Sequence, residues 1–198
     1  MLKTMKKILL LILFPFSVFS QEIRIESKIE ENKFENALKA FEGYVYYNFD
    51  FVTSKTTPLN FQITEKEYVN GKLIKESTCF DSKNTPSNLL GTKIPVTILA
   101  KNTSDVNYRL LYQFYEVFNF NRNYDLKKED RYSFKIFINQ AQKFSYNQKY
   151  LFSAIVKPIK INENTYRNCD FAIAMDKYDQ WFEIFGIDRY FIYEIKFY

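Results

Sequence analysis

The sequence predicts a mainly β fold, either an antiparallel sandwich or a strongly curved sheet, with one N-terminal amphipathic helix. Aromatic residues make up 19% of the 198 residues and only four residues are glycine, a mixture that favours strands over helices. Several segments alternate apolar and polar residues with the period of two that is typical of half-buried strands. Asn70-Gly71 joins two such segments and is a strong hairpin signal. An α+β fold and a small outer-membrane β-barrel are the alternatives.

The first 20 residues predict a secretory signal peptide. A basic start, an apolar centre and small residues before the cut mark such a peptide. They are present here as Lys3, Lys6 and Lys7, the run from Ile8 to Phe14, and Val18 with Ser20. The run is shorter than the roughly 20 apolar residues of a membrane-spanning helix, and Pro15 interrupts it. We therefore expect cleavage after Ser20 and an exported product, periplasmic or extracellular.

The mature chain is expected to be one β-rich domain over residues 21–198. Removing residues 1–20 leaves 178 residues, near the common size of a single domain. The formal charge falls from +5 to +2, because three lysines and no acidic residues leave with the signal. So small an excess indicates neither a nucleic-acid groove nor a polybasic patch for a membrane surface.

The first elements are a helix, a strand and a hairpin. Ser27 and Glu30 have the spacing of a capping box, and the apolar residues that follow lie on one helical stripe, which predicts a helix from Lys28 to Glu42. Alternation begins at Tyr44 and predicts a strand to Phe51. Around Asn70-Gly71 the pattern predicts a type I′ turn between two strands.

The rest of the chain is also predicted to be strands separated by polar connections. Residues 81–92 and 121–131 are rich in polar residues and predict loops. The predicted strands are Ile94–Ala100, one long bent strand over Tyr108–Phe120, Tyr132–Ile138, Tyr150–Val156, Phe171–Met175, Trp181–Phe185 and Tyr190–Tyr198.

Cys79 and Cys169 are the two cysteines of the chain. In an exported protein, a lone pair of cysteines predicts one disulfide. Two buried free thiols are the alternative.

The residue types exclude several chemistries. The chain contains no histidine, which removes histidine-activated nucleophiles and histidine-based zinc sites. The four glycines stand apart, so no glycine-rich phosphate loop is present. We expect no catalytic site, no metal site and no cofactor. A carboxylate-based exported hydrolase is the remaining enzymatic alternative, and the acidic pairs that lie close in sequence are Glu65 with Glu67 and Asp176 with Asp179.

Aromatic side chains are the candidate binding residues. Tyr178 and Trp181, together with Tyr44 and Tyr46, are predicted to offer flat surfaces to sugar rings or to a protein partner. Packing in the interior is the competing interpretation. The sequence thus predicts an exported, non-catalytic binding or structural module of the cell envelope or extracellular space, with a glycan or an envelope protein as its partner.

Overall fold

The computed structural model describes most of residues 22–198. The described residues are 22–27, 33–86, 90–104, 106–127, 130–162, 165–167 and 170–198. The predicted signal peptide, the first residues of the predicted helix, and Cys169 lie outside these ranges.

Twelve β-strands occur in the described part of the chain. They are β1 (Ile23–Ser27), β2 (Tyr44–Thr53), β3 (Phe61–Val69), β4 (Lys72–Asp81), β5 (Lys93–Ser104), β6 (Asn107–Phe114), β7 (Phe118–Asp125), β8 (Ser133–Ile136), β9 (Lys149–Val156), β10 (Ile159–Lys160), β11 (Tyr166–Arg167) and β12 (Arg189–Phe197).

Ten of these strands form two antiparallel sheets of five strands each. Sheet A has the order β1-β2-β5-β6-β7, and sheet B has the order β4-β3-β12-β9-β8. β10 and β11 form a separate two-stranded ribbon. The prediction of a mainly β, sandwich-like fold is confirmed.

Aromatic rings from both sheets fill the space between them. Phe51 of β2 is fully buried, and its ring centroid lies 5.0 Å from that of Phe197 and 6.0 Å from that of Phe152. Tyr112 of β6 stacks on Phe120 of β7 at 4.6 Å and contacts Tyr193 of β12 at 5.2 Å. Because every second residue of each strand points inward, the alternation in the sequence becomes the packing of the core.

Two helices and two stretches of 3₁₀ turns complete the described structure. α1 (Lys33–Glu42) connects β1 to β2, and a short 3₁₀ helix covers Ser82–Asn84. A run of 3₁₀ turns over Asp170–Gln180 leads directly into α2 (Trp181–Phe185), and we name residues 170–185 the cap segment. The helix predicted from Lys28 to Glu42 begins outside the described residues. Its Phe41 is 86% exposed, and burial of its apolar stripe against a sheet stays a prediction.

Two of the tight turns between strands use positive φ angles. Asn70 and Gly71 have φ of 49° and 76°, as a type I′ hairpin requires, and join β3 to β4. Tyr115 and Glu116 have φ of 53° and 60° and separate β6 from β7. The prediction of one long strand over 108–120 is therefore wrong. Neither residue belongs to the Asn and Gly types that mark such a turn, so the sequence carries no turn signal there.

The cap segment corrects two further predictions. Residues 171–175 and 181–185 form 3₁₀ turns and a helix, and neither is a strand. An apolar run of five residues fits a short strand or a buried turn of helix equally well, and periodicity does not separate them. The segment forms a second core with the outer face of sheet B, where Phe171 and Trp181 join Tyr190 and Ile192 of β12.

β7 also extends to Asp125, into the predicted loop over 121–131.

Candidate functional site

Trp181, a predicted binding residue, belongs to the second core. It is fully buried, and its ring centroid lies 4.8 Å from that of Phe171 and 5.6 Å from that of Tyr190. Its Nε1 donates a hydrogen bond to the backbone oxygen of Ala174 at 2.9 Å. The ring faces are covered by the protein's own side chains, so the expected surface role gives way to a packing role.

Tyr178, the second predicted binding residue, fastens the cap segment to sheet B. Its hydroxyl donates a hydrogen bond to Glu194 Oε1, and the Lys66 ammonium lies 5.6 Å from the centre of its ring. Burial and the Glu194 carboxylate both raise the pKa of Tyr178 well above its usual range. The half-buried ring thus has its polar end occupied from within the protein.

Cys79 is a free thiol, which argues against the predicted disulfide with Cys169, a residue outside the described ranges. The side chain lies among polar partners from β3 and β7. Its Sγ donates to Glu65 Oε2 at 3.7 Å and accepts from Arg122 Nη2 at 3.1 Å. Burial, aided by the Glu65 carboxylate, raises the pKa of Cys79 to about 11, so the thiol is protonated and unreactive at neutral pH.

Glu65 and Glu67, the first acidic pair, are each held by an arginine. Glu65 is 3% exposed, accepts from Tyr124 at 2.5 Å and from Arg122 Nε at 3.1 Å, and so links sheet B to sheet A. Two nitrogens of Arg189 bind Glu67 Oε1 at 2.8 and 2.9 Å. Both carboxylates are engaged in structural contacts, and neither borders the surface concavities described below.

Asp176 and Asp179, the second acidic pair, lie exposed on the 3₁₀ turns of the cap segment. Such exposure is typical of solvated acidic residues in turns. Neither acidic pair borders the surface concavities described below, where a substrate would have to lie between two carboxylates.

The outer face of sheet A carries the arrangement best suited to a ligand. Side chains from β2, β5, β6 and β7 stand in register there, in three cross-strand rows. Row one is Tyr44, Lys101, Arg109 and Asn123; row two is Tyr46, Leu99, Leu111 and Asn121; row three is Asn48, Thr97, Gln113 and Asn119. Four strands span about 14 Å in this direction.

A concavity of about 390 Å³ opens on this face at row one. Tyr44, Lys101 and Arg109 border it, and Leu99 and Leu111 of row two supply apolar lining. Its volume is in the range of small-ligand sites. An apolar base with a tyrosine and two cations at its rim suits a ligand that has both an apolar face and polar edges.

The charged residues around the concavity differ in how they are paired. Lys101 Nζ lies 3.3 Å from Glu42 Oε2 at the end of α1. Lys39 Nζ lies 4.2 Å from the centre of the Tyr46 ring, so this cation occupies a face of the second tyrosine. Tyr44 has no such cation among the described residues, which leaves its ring as the aromatic surface of the concavity.

A second concavity of about 490 Å³, at the end of the sandwich, also contains two tyrosines. There Lys55 Nζ lies 3.5 Å from the ring centre of Tyr146, and Lys83 Nζ lies 4.0 Å from that of Tyr198. Cations already occupy a face of each ring, so stacking of a ligand competes with these contacts. The concavity on sheet A is the better candidate.

Sequence reasoning identified part of this site. Tyr44 and Tyr46 are predicted from their outward parity, and the structure brings them to the outer face of sheet A. Arg109, Leu99 and Leu111 are not predicted. Their outward parity in β5 and β6 is visible in the sequence, but the strand order that sets them beside Tyr44 is not.

In the described residues, no group of three or more His, Cys, Asp or Glu side chains is close enough to hold a metal ion. None of the helices in these ranges combines the length and the apolar character needed to cross a membrane. Comparison with protein-family models, curated proteins and solved structures found no match to this chain.

Proposed function

We propose that this protein is an exported, non-catalytic binding module of the cell envelope or extracellular space, and that it binds a glycan on the outer face of sheet A. One observation carries the proposal: Tyr44 stands at a concavity with an apolar base, beside rows of amide and hydroxyl side chains in strand register. Sugar rings have an apolar face that packs on aromatic side chains and a rim of hydroxyl groups that needs hydrogen-bond partners.

The amide-rich rows supply those partners. Asn121, Asn123 and Asn119 of β7 are exposed, and each amide offers both a donor and an acceptor. A sugar hydroxyl likewise donates and accepts. The rows therefore match an extended chain of sugar rings better than they match an apolar ligand.

The two outer faces of the sandwich differ in a way that supports the same assignment. The cap segment packs on the outer face of sheet B and forms the second core there. On sheet A, Arg109 and the asparagines of β7 are exposed. Among the described residues, this face is therefore accessible at β6 and β7, beside the candidate site.

The signal peptide predicted at residues 1–20 supports export, because it has the basic start, apolar centre and small residues that export requires. Polysaccharides are abundant outside the cell, and a protein can bind them without catalysing a reaction.

The proposal is tested by retention of the purified protein on soluble polysaccharides immobilised in a native gel, with neutral β-glucan, xylan and mannan beside acidic galacturonan and alginate. We expect retention on at least one polymer. Tyr44→Ala should weaken it about tenfold, because it removes the stacking surface.

Tyr166→Ala is the matched control, since Tyr166 is 39% exposed and lies on β11, outside sheet A. It should leave retention unchanged. Failure of every polymer to retain the protein, or equal retention of the Tyr44→Ala variant, would contradict the proposed function.

A further inference from the structure

We infer that the glycan bound at the sheet A concavity is acidic, and that Arg109 binds the carboxylate of a uronic acid unit. This inference rests on the proposed function and names the substrate class of that site. Its basis is Arg109, at the rim of the concavity, which has no hydrogen bond or ion pair with any other described residue.

Arg109 differs from the other cations of the same face. Arg24 pairs with Glu26 at 2.9 Å, Lys93 with Asp50 at 2.8 Å, and Lys101 with Glu42 at 3.3 Å. Among the described residues, Arg109 has no hydrogen bond, ion pair or ring contact, and its side chain is exposed. Among the described residues, Arg109 is therefore a positive charge beside the concavity without a compensating acid.

The positions in row one suit a uronic acid. Tyr44, Lys101 and Arg109 are successive cross-strand neighbours, and directly opposite residues lie about 5 Å apart. A uronic acid unit has an apolar ring face and a carboxylate at one edge. With the ring against Tyr44 and the apolar base, its carboxylate reaches the guanidinium two strands away.

Arginine is the side chain that recognises a carboxylate by two parallel hydrogen bonds. The Lys101 ammonium, next to it in the row, adds charge of the same sign but shares it with Glu42. The adjacent rows of amides favour a polymer of sugar units over a small free anion, because a free anion uses only the arginine.

The inference is tested by calorimetric titration of the purified protein with galacturonan and guluronan oligosaccharides. Each is used at neutral pH as the ionised, unesterified acid and as its neutral methyl ester. The ester keeps the ring and its hydroxyls and removes the charge. At low ionic strength we expect the acid to bind about tenfold more tightly, the ratio expected for a hydrogen bond to a charged group.

Arg109→Gln should bring acid and ester to within about twofold of each other, and Arg109→Lys should retain part of the preference. Arg24→Gln is the matched control, because it removes the same charge from the far end of the same face. It should keep the full preference. Tyr44→Ala should weaken acid and ester alike.

Equal binding of acid and ester with no effect of Arg109→Gln would overturn the inference and leave glycan binding standing. Binding of neutral polysaccharides alone would do the same. A free carboxylate such as acetate competing as well as the oligosaccharide would reduce the site to one for small anions and would also overturn it. Absence of binding to any glycan would remove the proposed function, and the inference with it.

Discussion

Glu194 is a buried carboxylate whose pKa is set by the residues that surround it. Its side chain is 3% exposed and lies on the outer face of sheet B, beneath Tyr178 of the cap segment. Lys66 Nζ lies 2.9 Å from its Oε1, and Lys149 Nζ lies 3.3 Å from its Oε2. Burial alone would raise its pKa, but the hydrogen bonds from Tyr178 and Lys66 and the charges of both lysines outweigh burial and lower the pKa below its usual value.

Glu194→Gln should therefore destabilise the protein by about 1–3 kcal/mol at neutral pH, because Lys66 and Lys149 lose the charge that offsets their own. A lowered folded-state pKa means that the unfolded state takes up the proton first as the pH falls. The difference in unfolding free energy between the unsubstituted protein and Glu194→Gln should thus have its full size at neutral pH and shrink below about pH 4.5. Urea unfolding at a series of pH values measures it.

Glu22→Gln is the control for this measurement. Glu22 also pairs with a lysine, but its side chain is 43% exposed, and an exposed pair contributes little. A difference for Glu194→Gln that stays constant down to pH 3 would show that its carboxylate is not charged preferentially in the folded state.

At the residue scale, the sequence identifies which side chains are aromatic or charged and which parity they have, but not what covers them. Tyr44 and Trp181 are both candidates for a surface role. Tyr44 borders a concavity, whereas Trp181 is fully buried. The difference arises from the cap segment, whose turn buries Trp181 among Phe171, Tyr190 and Phe137, the last of which is distant in sequence.

At the element scale, the β3–β4 hairpin packs against the cap segment. A Cβ added to Gly71 would lie 2.7 Å from Glu183 Oε1 and 3.2 Å from Phe182 Cδ1 of α2. The Glu183 carboxylate can move away, whereas the Phe182 Cβ, 3.4 Å from the added atom, can move only together with the backbone of α2. The hairpin turn and the cap segment are thus adjacent surfaces with little free space.

Gly71→Ala should be more destabilising than Gly43→Ala. Both glycines have positive φ, 76° and 66°, and each substitution costs about 1 kcal/mol for that conformation. A Cβ at Gly43 meets nothing within 4 Å, so only Gly71→Ala should cost about 1 kcal/mol more through overpacking. Thermal unfolding of the two variants measures the difference.

The emission of Trp181, the single tryptophan, provides a local readout of the same contact. Gly71→Ala should shift it, because α2 carries both Trp181 and the crowded Phe182. Equal stability of the two alanine variants, with unchanged emission, would mean that the hairpin does not press on the cap segment.

Elements with local signals are predictable, and elements defined by packing are not. The β3–β4 turn is predictable because Asn and Gly adopt positive φ at little cost. The β6–β7 turn is not predictable in this way. Positive φ is unfavourable for Tyr115 and Glu116, and the pairing of the two strands that they join offsets this cost. The cap segment is missed because its short apolar runs fit a strand as well as a turn of helix.

At the scale of the whole molecule, export is the prediction on which the proposed binding of an extracellular glycan depends. The product recovered from the host's cell fractions should begin at Gln21, one residue beyond the predicted cut. N-terminal sequencing of the processed chain checks this. Leu11→Arg should block processing by breaking the apolar centre, whereas Leu11→Ile should permit it.

A chain that retains Met1 in every fraction would contradict the prediction of a signal peptide. The same result for Leu11→Arg and Leu11→Ile would show that the apolar run is not what the export machinery reads.

The sequence by itself determined the β-rich fold, the Asn70-Gly71 hairpin and the outward parity of Tyr44 and Tyr46. These depend on neighbours within a few residues, through backbone geometry and a period of two. Only the tertiary structure decided the order of the strands, and with it the meeting of Tyr44, Lys101 and Arg109 from three strands. It also decided that Cys79 lies against Glu65 and Arg122. Such contacts join residues far apart in the chain, so they depend on how the whole core packs, which no local pattern encodes.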